Sequence, residues 1–415
     1  MKLHRPLLEA VTDILCFIFL QGQHAESIIE ASFRAHPKWG SRDRRFIAEN
    51  VYDIVRNCRR LCHAVEIDTP KSRKEVWHLA GLWYATQGLE IPDWVVWLPL
   101  DLNAAIERYQ LAQNVRALRE SVPDWLDELG LATFGTEWDK ELSALNGSAD
   151  VVLRANALKT SRTFLSKLLK DEGIESTPFE PFPDALRLLK RQQLAHTETF
   201  KLGLFEVQDA ASQAVAPFLR CKGGMTVIDA CAGAGGKTLH LTAIMRNKGR
   251  VVAMDIDAEK LDILQERARK AGAKIIETYT ITSADDMLAQ WHETADRLLL
   301  DVPCSGIGVL RRTPDAKWRL SPDALETICQ TQAQILDTYS NMLRPGGLMV
   351  YATCSLLAVE NQVQVERFLE RHPDTFELVQ TSTFTPAQHQ TDGFYMALIK
   401  KNALVPPSPS DSSST

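Results

Sequence analysis

The chain has 415 residues, a formal net charge of −6 and eight cysteines with no dense framework. The length predicts two or three domains at ~150 residues each, and the scattered cysteines indicate a reducing compartment, so we predict a cytoplasmic protein. The net acidity excludes a uniformly basic nucleic-acid binder, so any contact with RNA or DNA must come from local basic patches.

Residues 1–125 are predicted to form an all-helical domain, followed by a helical connector over 126–149. Apolar residues recur at three- and four-residue spacing, for example at Ile47, Val51 and Ile54. The apolar run over 14–20 is shorter than the ~18 residues that a membrane span needs, so no membrane partner is predicted.

The helical domain also carries a cluster of arginines. Between positions 41 and 60, six arginines stand against three acids: Arg42, Arg44, Arg45, Arg56, Arg59 and Arg60 against Asp43, Glu49 and Asp53. They indicate either a phosphate-contacting patch for a structured RNA or a solvated helix face with internal ion pairs. Ser41 or Asp43 is expected to cap the helix that begins here. Cys58 and Cys62 lie one helical turn apart, but no second pair stands at metal spacing, so no metal site is predicted.

Residues 150–221 are predicted to form a small α+β module with a lead-in helix to the next domain. A strand is expected over 151–156, a helix from Ser161, its N-cap, to Glu172, and a second strand over 185–190. We interpret the module as RNA-binding because of its cations, which are Arg154, Lys159, Arg162, Lys167 and Lys170.

From 222 to 402, the alternation of strands and helices predicts an α/β domain with a doubly wound, mostly parallel sheet. The predicted strands cover 225–229, 250–255, 274–280, 296–301, 347–353, 376–380 and 393–400. The tail over 403–415 is rich in proline and serine and is predicted to be disordered.

A glycine-rich loop follows the first of these strands. A phosphate-binding P-loop would need glycine where Cys231 stands, and a dinucleotide loop would need a different glycine spacing. The remaining interpretation is a loop that binds S-adenosylmethionine, with Asp255 at the end of the second strand accepting from ribose hydroxyls. A tight turn without a ligand is the alternative.

Two cysteines lie near strand ends in the same domain. Cys304 follows the strand that ends at Asp301, and Cys354 follows the next strand. Ligands of open α/β sheets sit outside the carboxyl ends of the strands, so both thiols are expected in one cleft. A thiolate that adds to C6 of a pyrimidine makes C5 nucleophilic, and Asp301 could hydrogen-bond the N3/N4 edge of cytosine. Small buried apolar residues are the alternative reading of these cysteines.

These segments carry a family resemblance. Asp301-Val-Pro-Cys-Ser-Gly306 and Tyr351-Ala-Thr-Cys-Ser355 resemble motifs IV and VI of the RNA cytosine-C5 methyltransferases, the RsmB-like or Sun-domain family. The loop over 231–238 is similar to the donor loop of that family, and 207–213, 311–318 and 392–396 match further signatures. The helical N-terminus resembles the NusB-like RNA-binding domain of some members.

The resemblance implies a Rossmann-like class I methyltransferase core and an enzyme that makes 5-methylcytosine in RNA with S-adenosylmethionine as donor. It implies ribosomal RNA as the substrate, with tRNA left open, and we predict a monomer. It implies Cys354 as the nucleophile and Cys304 as the thiol that assists product release. The implied donor contacts are Cys231, Ala232, Gly233, Ala234, Gly235, Gly236, Lys237, Asp255 and Asp301.

Two departures from the family pattern stand out. Ala234 occupies a place where the family often has proline, and the position near Ile281 lacks the acid often found after the third strand. The segment with Arg311, Arg312, Lys317, Trp318 and Arg319 suits phosphates and a splayed base, or is an ordinary solvated loop.

Two rival functions are considered. A DNA cytosine-C5 methyltransferase, in which the Pro-Cys cysteine is the nucleophile, would assign that role to Cys304. It would also need a recognition insertion late in the core, and none is visible. A non-catalytic RNA-binding or ribosome assembly factor would show a lost thiol or a broken donor loop, and both are intact here. Thr353-Cys354 favours the RNA enzyme.

Overall fold

The computed structural model describes residues 3–92 and 101–403. The chain divides into two compact units, Met1–Ser148 with Val309–Leu325, and Ala149–Gly308 with Glu326–Thr415. Apart from Ala403, the tail predicted to be disordered lies outside the described residues, as does the part of the predicted helical domain over 93–100.

The first unit is helical throughout its described secondary structure. In α1, apolar side chains at three- and four-residue spacing are buried, among them Leu8, Val11, Leu15 and Ile18. Across residues 3–92 and 101–403, no helix is long and apolar enough to cross a membrane. The helices are α1 Arg5–Gln21, α2 Ala25–Ala35, α3 Ser41–Arg56, α4 Cys58–Ala64, α5 Arg73–Thr86, α6 Leu102–Leu111, α7 Arg116–Arg119, α8 Asp124–Phe134 and α9 Trp138–Leu145.

The second unit opens with a four-stranded antiparallel sheet in the order β2-β3-β1-β4. Its elements are β1 Val152–Ala155, α10 Arg162–Asp171, β2 Ser176–Pro178, β3 Ala185–Leu188, α11 Glu198–Lys201 and β4 Phe205–Val207. The Ser161 side chain accepts from the Phe164 N–H at 3.2 Å, so the predicted N-cap is confirmed. Strands β2 and β4 were not predicted, because each has only three residues and at least one of them is exposed.

A seven-stranded sheet forms the centre of this unit, in the order β10-β11-β9-β8-β5-β6-β7. The five strands from β5 to β9 are parallel, and β10 and β11 run antiparallel at one edge. Their bounds are β5 Thr226–Asp229, β6 Arg250–Asp255, β7 Ile276–Thr280, β8 Ala295–Asp301, β9 Leu343–Thr353, β10 Phe376–Phe384 and β11 Phe394–Lys401. The predicted α/β, Rossmann-like fold is confirmed, and the strand order reverses between β5 and β8, where such sheets bind ligands.

The remaining helices are α12 Ala210–Phe218, α13 Gly236–Ile244, α14 Ala258–Ala271, α15 Ala284–Trp291, α16 Ala316–Arg319, α17 Pro322–Tyr339, α18 Gln362–Arg371 and α19 Pro386–His389. Of these, α16 belongs to the first unit, and α17 begins there. Apolar cores lie on both faces of the sheet. One contains Trp291, Leu336 and Phe368, and the other contains Val215 and Leu241. These two layers cover both faces of the sheet. Because β5 to β9 are parallel, their carboxyl ends lie on the same side of it.

Most of the arginine cluster in the first unit bonds internally. Arg44 donates to the Trp39 carbonyl at 3.0 Å, Arg56 pairs with Asp53 at 2.7 Å, Arg59 pairs with Asp124 at 2.7 Å, and Arg60 donates to the Tyr109 carbonyl at 2.8 Å. Of the two predicted alternatives for this cluster, these four side chains therefore fit the one with internal bonds and ion pairs rather than the phosphate-contacting patch. Helix α3 takes Gly40 as its N-cap, and Asp43 accepts from the Gly40 N–H at 3.3 Å.

The segment over 311–319 was predicted to contact phosphates and a splayed base. It belongs to the helical unit, whereas the predicted domain boundaries place it in the α/β domain. The Lys317 amine is buried and donates to the Arg56 carbonyl at 2.9 Å. The Trp318 indole donates to the Val55 carbonyl at 2.7 Å and packs on the helical core. The RNA-contact prediction is wrong for Lys317 and Trp318, because their donors and apolar surfaces are already used inside the unit.

The buried Lys317 makes the stability of this unit pH-dependent. Burial lowers the pKa of Lys317 to about 7, against ~10.4 for an unfolded lysine. Between these values the unfolded chain binds more protons than the folded chain, so the free energy of unfolding rises with pH. We expect Lys317→Met to flatten this rise, measured by denaturant unfolding at pH 7.5 and 9.5.

Lys140→Met is the matched control, because the Lys140 amine is exposed and pairs with Glu137 at 2.8 Å. The control should keep the wild-type change in unfolding free energy between the two pH values. An equal change in Lys317→Met and wild type would show that Lys317 does not titrate in this window.

Candidate active site

The glycine-rich loop joins β5 to α13 at the point where the strand order reverses. Gly235 has φ +84°, and a Cβ there would lie 2.4 Å from Leu264, so only glycine fits. The Gly233 N–H donates to Asp255 Oδ2 at 2.8 Å, which ties the loop to the end of β6. The loop therefore has one defined conformation with an acidic group beside it.

A cavity of about 570 Å³ lies against this loop, within the size range of small-molecule sites. Its lining includes Ile256, Ile281 and Tyr339 together with the Asp255 carboxylate. This combination of apolar walls and an acid fits an adenosine group, and each Asp255 oxygen keeps a second lone pair after its backbone bond. At Ile281, where the family often has an acid, the wall is apolar.

The predicted donor-binding residues divide between two neighbouring cavities. Cys231, Gly233, Asp255 and Asp301 line the large one. Ala232, Gly236 and Lys237 line a cavity of about 200 Å³, which Cys231 and Asp301 also border. Ala234 and Gly235 are absent from both linings. Gly235 packs on Leu264, and the Ala234 carbonyl accepts from Arg267 at 2.5 Å.

Asp229 lies beneath the loop at the end of β5. Its Oδ2 accepts from the Thr238 hydroxyl at 2.7 Å, while Oδ1 has no partner among the described residues. Burial raises the pKa of Asp229 to about 7, and the neighbouring Asp301 carboxylate adds to this. A buried acceptor without a partner is the feature expected where a polar ligand group binds.

Arg154 supports the loop from the small sheet. It is buried and donates to the Gly236 carbonyl at 2.7 Å and to the Gln208 side chain. Burial lowers its pKa to about 10. The prediction that Arg154 belongs to a cationic RNA surface is therefore wrong.

The two cysteines meet at the carboxyl ends of β8 and β9. Cys304 Sγ and Cys354 Sγ lie 3.2 Å apart, and both are free thiols. This exceeds the ~2.05 Å of a disulfide bond. The hydrogen bond to Cys354 and burial raise the pKa of Cys304 well above its ordinary value, and the Glu360 carboxylate adds to the effect.

Glu360 joins the two cysteine loops. It is fully buried, and its Oε1 accepts from the Ser305 N–H at 2.7 Å and from Gln332 Nε2 at 3.2 Å. Its Oε2 accepts from the hydroxyls of Ser305 and Ser355, the residues that follow the two cysteines. One carboxylate thus fixes the relative position of both thiols.

Two glycines, Gly308 and Gly393, let the segments that follow β8 and β9 approach the segment that precedes β11. The Gly308 N–H donates to the Cys354 carbonyl at 3.0 Å, and the Gly393 N–H donates to the Gly308 carbonyl at 2.8 Å. A Cβ on Gly308 would lie 2.3 Å from the Gly393 carbonyl oxygen. The segment over 392–396 thereby supports the Cys354 loop.

Lys237 and Asp301 form an ion pair beside the thiols, with Nζ and Oδ2 2.6 Å apart. The Lys237 amine also lies over the Phe394 ring, 4.9 Å from its centroid. Burial disfavours its charge, but Asp301 and then Cys354 offset this, so the pKa of Lys237 is raised. A cation therefore faces Cys354, whereas the Glu360 anion faces Cys304.

Comparisons with known proteins agree with this arrangement. Residues 216–400 match the family described as 16S rRNA methyltransferase RsmB/F, and residues 122–195 match its ferredoxin-like domain. A probable ribosomal RNA small subunit methyltransferase B from Synechocystis sp. is 31% identical over 94% of this chain and 98% of its own length. The chain belongs to the RsmB/F family. The family resemblance predicted from the motifs is confirmed, and the methyl donor is S-adenosylmethionine.

Further similarities extend the family assignment. Ribosomal RNA small subunit methyltransferase B from Salmonella paratyphi A is 37% identical over 67% of this chain and 66% of its own length, so the chain spans about two thirds of that relative. The crystal structure of PH0851 covers 97% of this chain and 100% of its own, with a TM-score of 0.81 and 23% identity. The second similarity shows the fold alone.

Several residues of this RsmB/F site carry no signal in the sequence. Glu360 lies 55 residues from Ser305 along the chain, and Arg267 lies 33 residues from Ala234. No motif spacing connects such partners, because the contacts arise only when the strands assemble. The glycine loop and the two cysteines were predictable because each directly follows an apolar strand.

Proposed function

We propose that this chain transfers the methyl group of S-adenosylmethionine to C5 of a cytosine in ribosomal RNA. The observation that carries the proposal is the pair of thiols 3.2 Å apart beside the Lys237–Asp301 ion pair. A pyrimidine C5 is a poor nucleophile, and a thiolate that adds at C6 makes C5 able to attack an electrophilic methyl group.

Cys354 is the proposed nucleophile. The Lys237 ammonium lies on the side of Cys354, whereas the hydrogen bond to Cys354, burial and the Glu360 charge raise the pKa of Cys304. The Cys354 sulfur would form a bond to C6, and C5 would accept the methyl group as the S–CH₃ bond of the donor breaks and leaves a neutral thioether. A base then removes the C5 proton and the S–C6 bond breaks, which restores both the aromatic ring and the Cys354 thiolate. Cys304 assists this release.

Asp301 and Lys237 are proposed to hold the cytosine. A carboxylate can accept from the N4 amine, and an ammonium can donate to the ring carbonyl. Their mutual bond of 2.6 Å keeps both groups oriented before the base arrives. The target base must leave its stack to reach them.

S-adenosylmethionine, when bound, supplies the electrophilic methyl group on its sulfonium. Its binding is supported by Cys231, Gly233, Asp255 and Asp301, the predicted donor contacts that line the larger cavity. Asp255 is proposed to accept from ribose hydroxyls, and the unpartnered Asp229 Oδ1 is suited to accept from the donor amine. Burial and nearby carboxylates raise the pKa of Cys231 well above its ordinary value, so this loop thiol stays neutral.

The names of the relatives support ribosomal RNA of the small subunit as the substrate. The helical unit, which resembles a NusB-like domain in sequence, is proposed to bind that RNA. The non-catalytic assembly factor is disfavoured by the intact donor loop and the paired thiols. The DNA enzyme is disfavoured by the similarity to RNA-modifying relatives.

The test is methyl transfer from labelled S-adenosylmethionine to a 16S rRNA transcript, to tRNA and to DNA of the same sequence, followed by nucleoside analysis. We expect 5-methylcytosine in the rRNA transcript. Label in DNA alone would support the DNA enzyme, and tight RNA binding without label would support the assembly factor. Label in a nucleoside other than cytidine would contradict the proposed chemistry.

A further inference from the structure

Four exposed cations lie on the loops that precede three parallel strands of the large sheet. They form what we call the amino-end patch, which consists of Lys222 before β5, Arg246 and Lys248 before β6, and Lys274 before β7. The chain as a whole is acidic, with a net charge of −6. Positive charge that is concentrated locally on an acidic chain indicates a negatively charged partner.

Backbone and side-chain hydrogen bonds fix these loops to one another. The Gly224 N–H donates to the Lys248 carbonyl at 2.9 Å. The Asn247 side chain accepts from the Lys274 N–H at 2.8 Å and donates to the Gly272 carbonyl at 3.0 Å. The four cations therefore stand on a single rigid surface.

The cations of this patch have no acidic partners within the part of the chain that the structure describes. The nearby acids are bonded elsewhere, since Glu277 pairs with Arg250 at 2.6 Å and Asp296 pairs with Arg344. Positive charge is also crowded next to the patch. Burial lowers the pKa of Arg297, the Asp296 carboxylate opposes this shift, and the charges of Arg344 and Arg220 add to it. An uncompensated positive surface of this kind attracts a polyanion.

The patch lies at the opposite edge of the sheet from the cysteines. Because the strands are parallel, all their amino ends lie on one side of the sheet. Their carboxyl ends, followed by Cys304 and Cys354, lie on the opposite side. The seven residues of β8 separate the two edges by ~20 Å. A nucleotide held at the thiols therefore cannot touch the patch, and only a more distant part of a large RNA can reach it.

We infer that the amino-end patch is a second RNA-contacting surface, which binds the phosphate backbone of the substrate RNA at a distance from the target cytosine. This inference rests on the proposed function, because it assigns the patch to the same RNA. Lysine and arginine that neutralise phosphates release counterions, so the interaction contributes affinity without base specificity and weakens with salt. The surface also explains how an acidic chain holds RNA although four of the six arginines in the helical cluster are bonded internally.

The test compares two triple variants of the full chain with equal charge change. Lys222→Gln, Lys248→Gln and Lys274→Gln remove three of the four positive charges of the patch and keep Arg246. Lys140→Gln, Lys201→Gln and Lys400→Gln remove three ion-paired lysines elsewhere. Dissociation constants for a 16S rRNA transcript are measured from 50 to 300 mM salt, together with kcat and KM for methyl transfer.

The patch variant should reduce the slope of log affinity against log salt by about 2 to 3, close to one for each phosphate that is no longer neutralised. Its KM should rise on the order of ten-fold at 150 mM salt while kcat stays unchanged, and its unfolding midpoint should match wild type. The control variant should keep the wild-type slope within about one.

Equal slopes in the patch variant and wild type, with methylation intact, would overturn the inference and leave the proposed function standing. Equal reductions of affinity in both triple variants would assign the effect to net charge and would also overturn it. Failure of the wild-type chain to methylate RNA would instead refute the proposed function.

Discussion

Cys304→Ala is expected to accumulate a covalent protein–RNA complex in the presence of S-adenosylmethionine, whereas Cys354→Ala forms none. If Cys354 adds to C6, its removal prevents the first bond from forming. If Cys304 serves only in release, its removal leaves the methylated base attached through Cys354. The 3.2 Å between the sulfurs is short enough for one thiol to act on a base that is bonded to the other.

The measurement is a denaturing gel of each variant incubated with labelled 16S rRNA transcript and donor. Methyl transfer should fall by at least ~10³-fold in Cys354→Ala, as for other enzymes that lose a nucleophile. Cys16→Ala is the matched control, since this half-buried thiol lies in α1 of the helical unit. It should behave as wild type in both readouts.

The opposite pattern, with an adduct only in Cys354→Ala, would exchange the two roles. The nucleophile would then be the thiol beside the Glu360 anion, and the Lys237 cation would face the other thiol. Such a result would require Cys304 to ionise beside Glu360, against the direction in which burial and that carboxylate shift its pKa. The Lys237 cation on the side of Cys354 and the Glu360 anion on the side of Cys304 agree with the roles that the family resemblance implies.

The contrast between predicted and unpredicted features has a physical basis. The strands over 226–229 and 250–255 are continuous apolar runs that end on acids, because both faces of a parallel strand are buried. That pattern is local in the sequence, so the sheet, the donor loop and the cysteine positions could be derived from it. Strand β9 begins at Leu343, four residues before the predicted start at 347, because Pro345 and two glycines interrupt the apolar run there.

Contacts between distant segments could not be derived in this way. Lys317 and Trp318 look like RNA ligands in a linear reading, yet they bond to carbonyls more than 260 residues away. Composition shows only that a side chain can donate, and it does not show whether the donor is already used. The same limit applies to Glu360, whose role depends on two serines on separate loops.

Glu360→Gln is expected to lower methyl transfer on the order of 10²-fold, the size of effect that follows a displacement of ~1 Å at a reacting centre. In the variant, the amide oxygen can still accept from the Ser305 N–H. The NH₂ group, however, takes the place of Oε2, which accepts from two hydroxyls in the wild type. Each hydroxyl that loses its acceptor costs about 1–3 kcal/mol if it stays buried. The two cysteine loops should therefore separate.

A loss of stability alone would also reduce activity, so the decisive readout is the pH dependence of Cys304 alkylation by iodoacetamide, followed by mass spectrometry. The Glu360 charge and the bond to Cys354 both raise the pKa of Cys304. Glu360→Gln weakens both, so the alkylation midpoint should move to lower pH. Simple destabilisation would not shift the midpoint in folded protein.

Glu370→Gln is the control for this prediction, because Glu370 is an exposed residue near the end of α18. It should keep both the wild-type methyl transfer and the wild-type alkylation midpoint. A Glu360→Gln chain that is folded, with an unshifted midpoint but impaired transfer, would mean that the carboxylate acts elsewhere than on the thiols. An active Glu360→Gln chain would mean that the remaining links between the segments, among them the backbone bonds of Gly308 and Gly393, hold the loops without it.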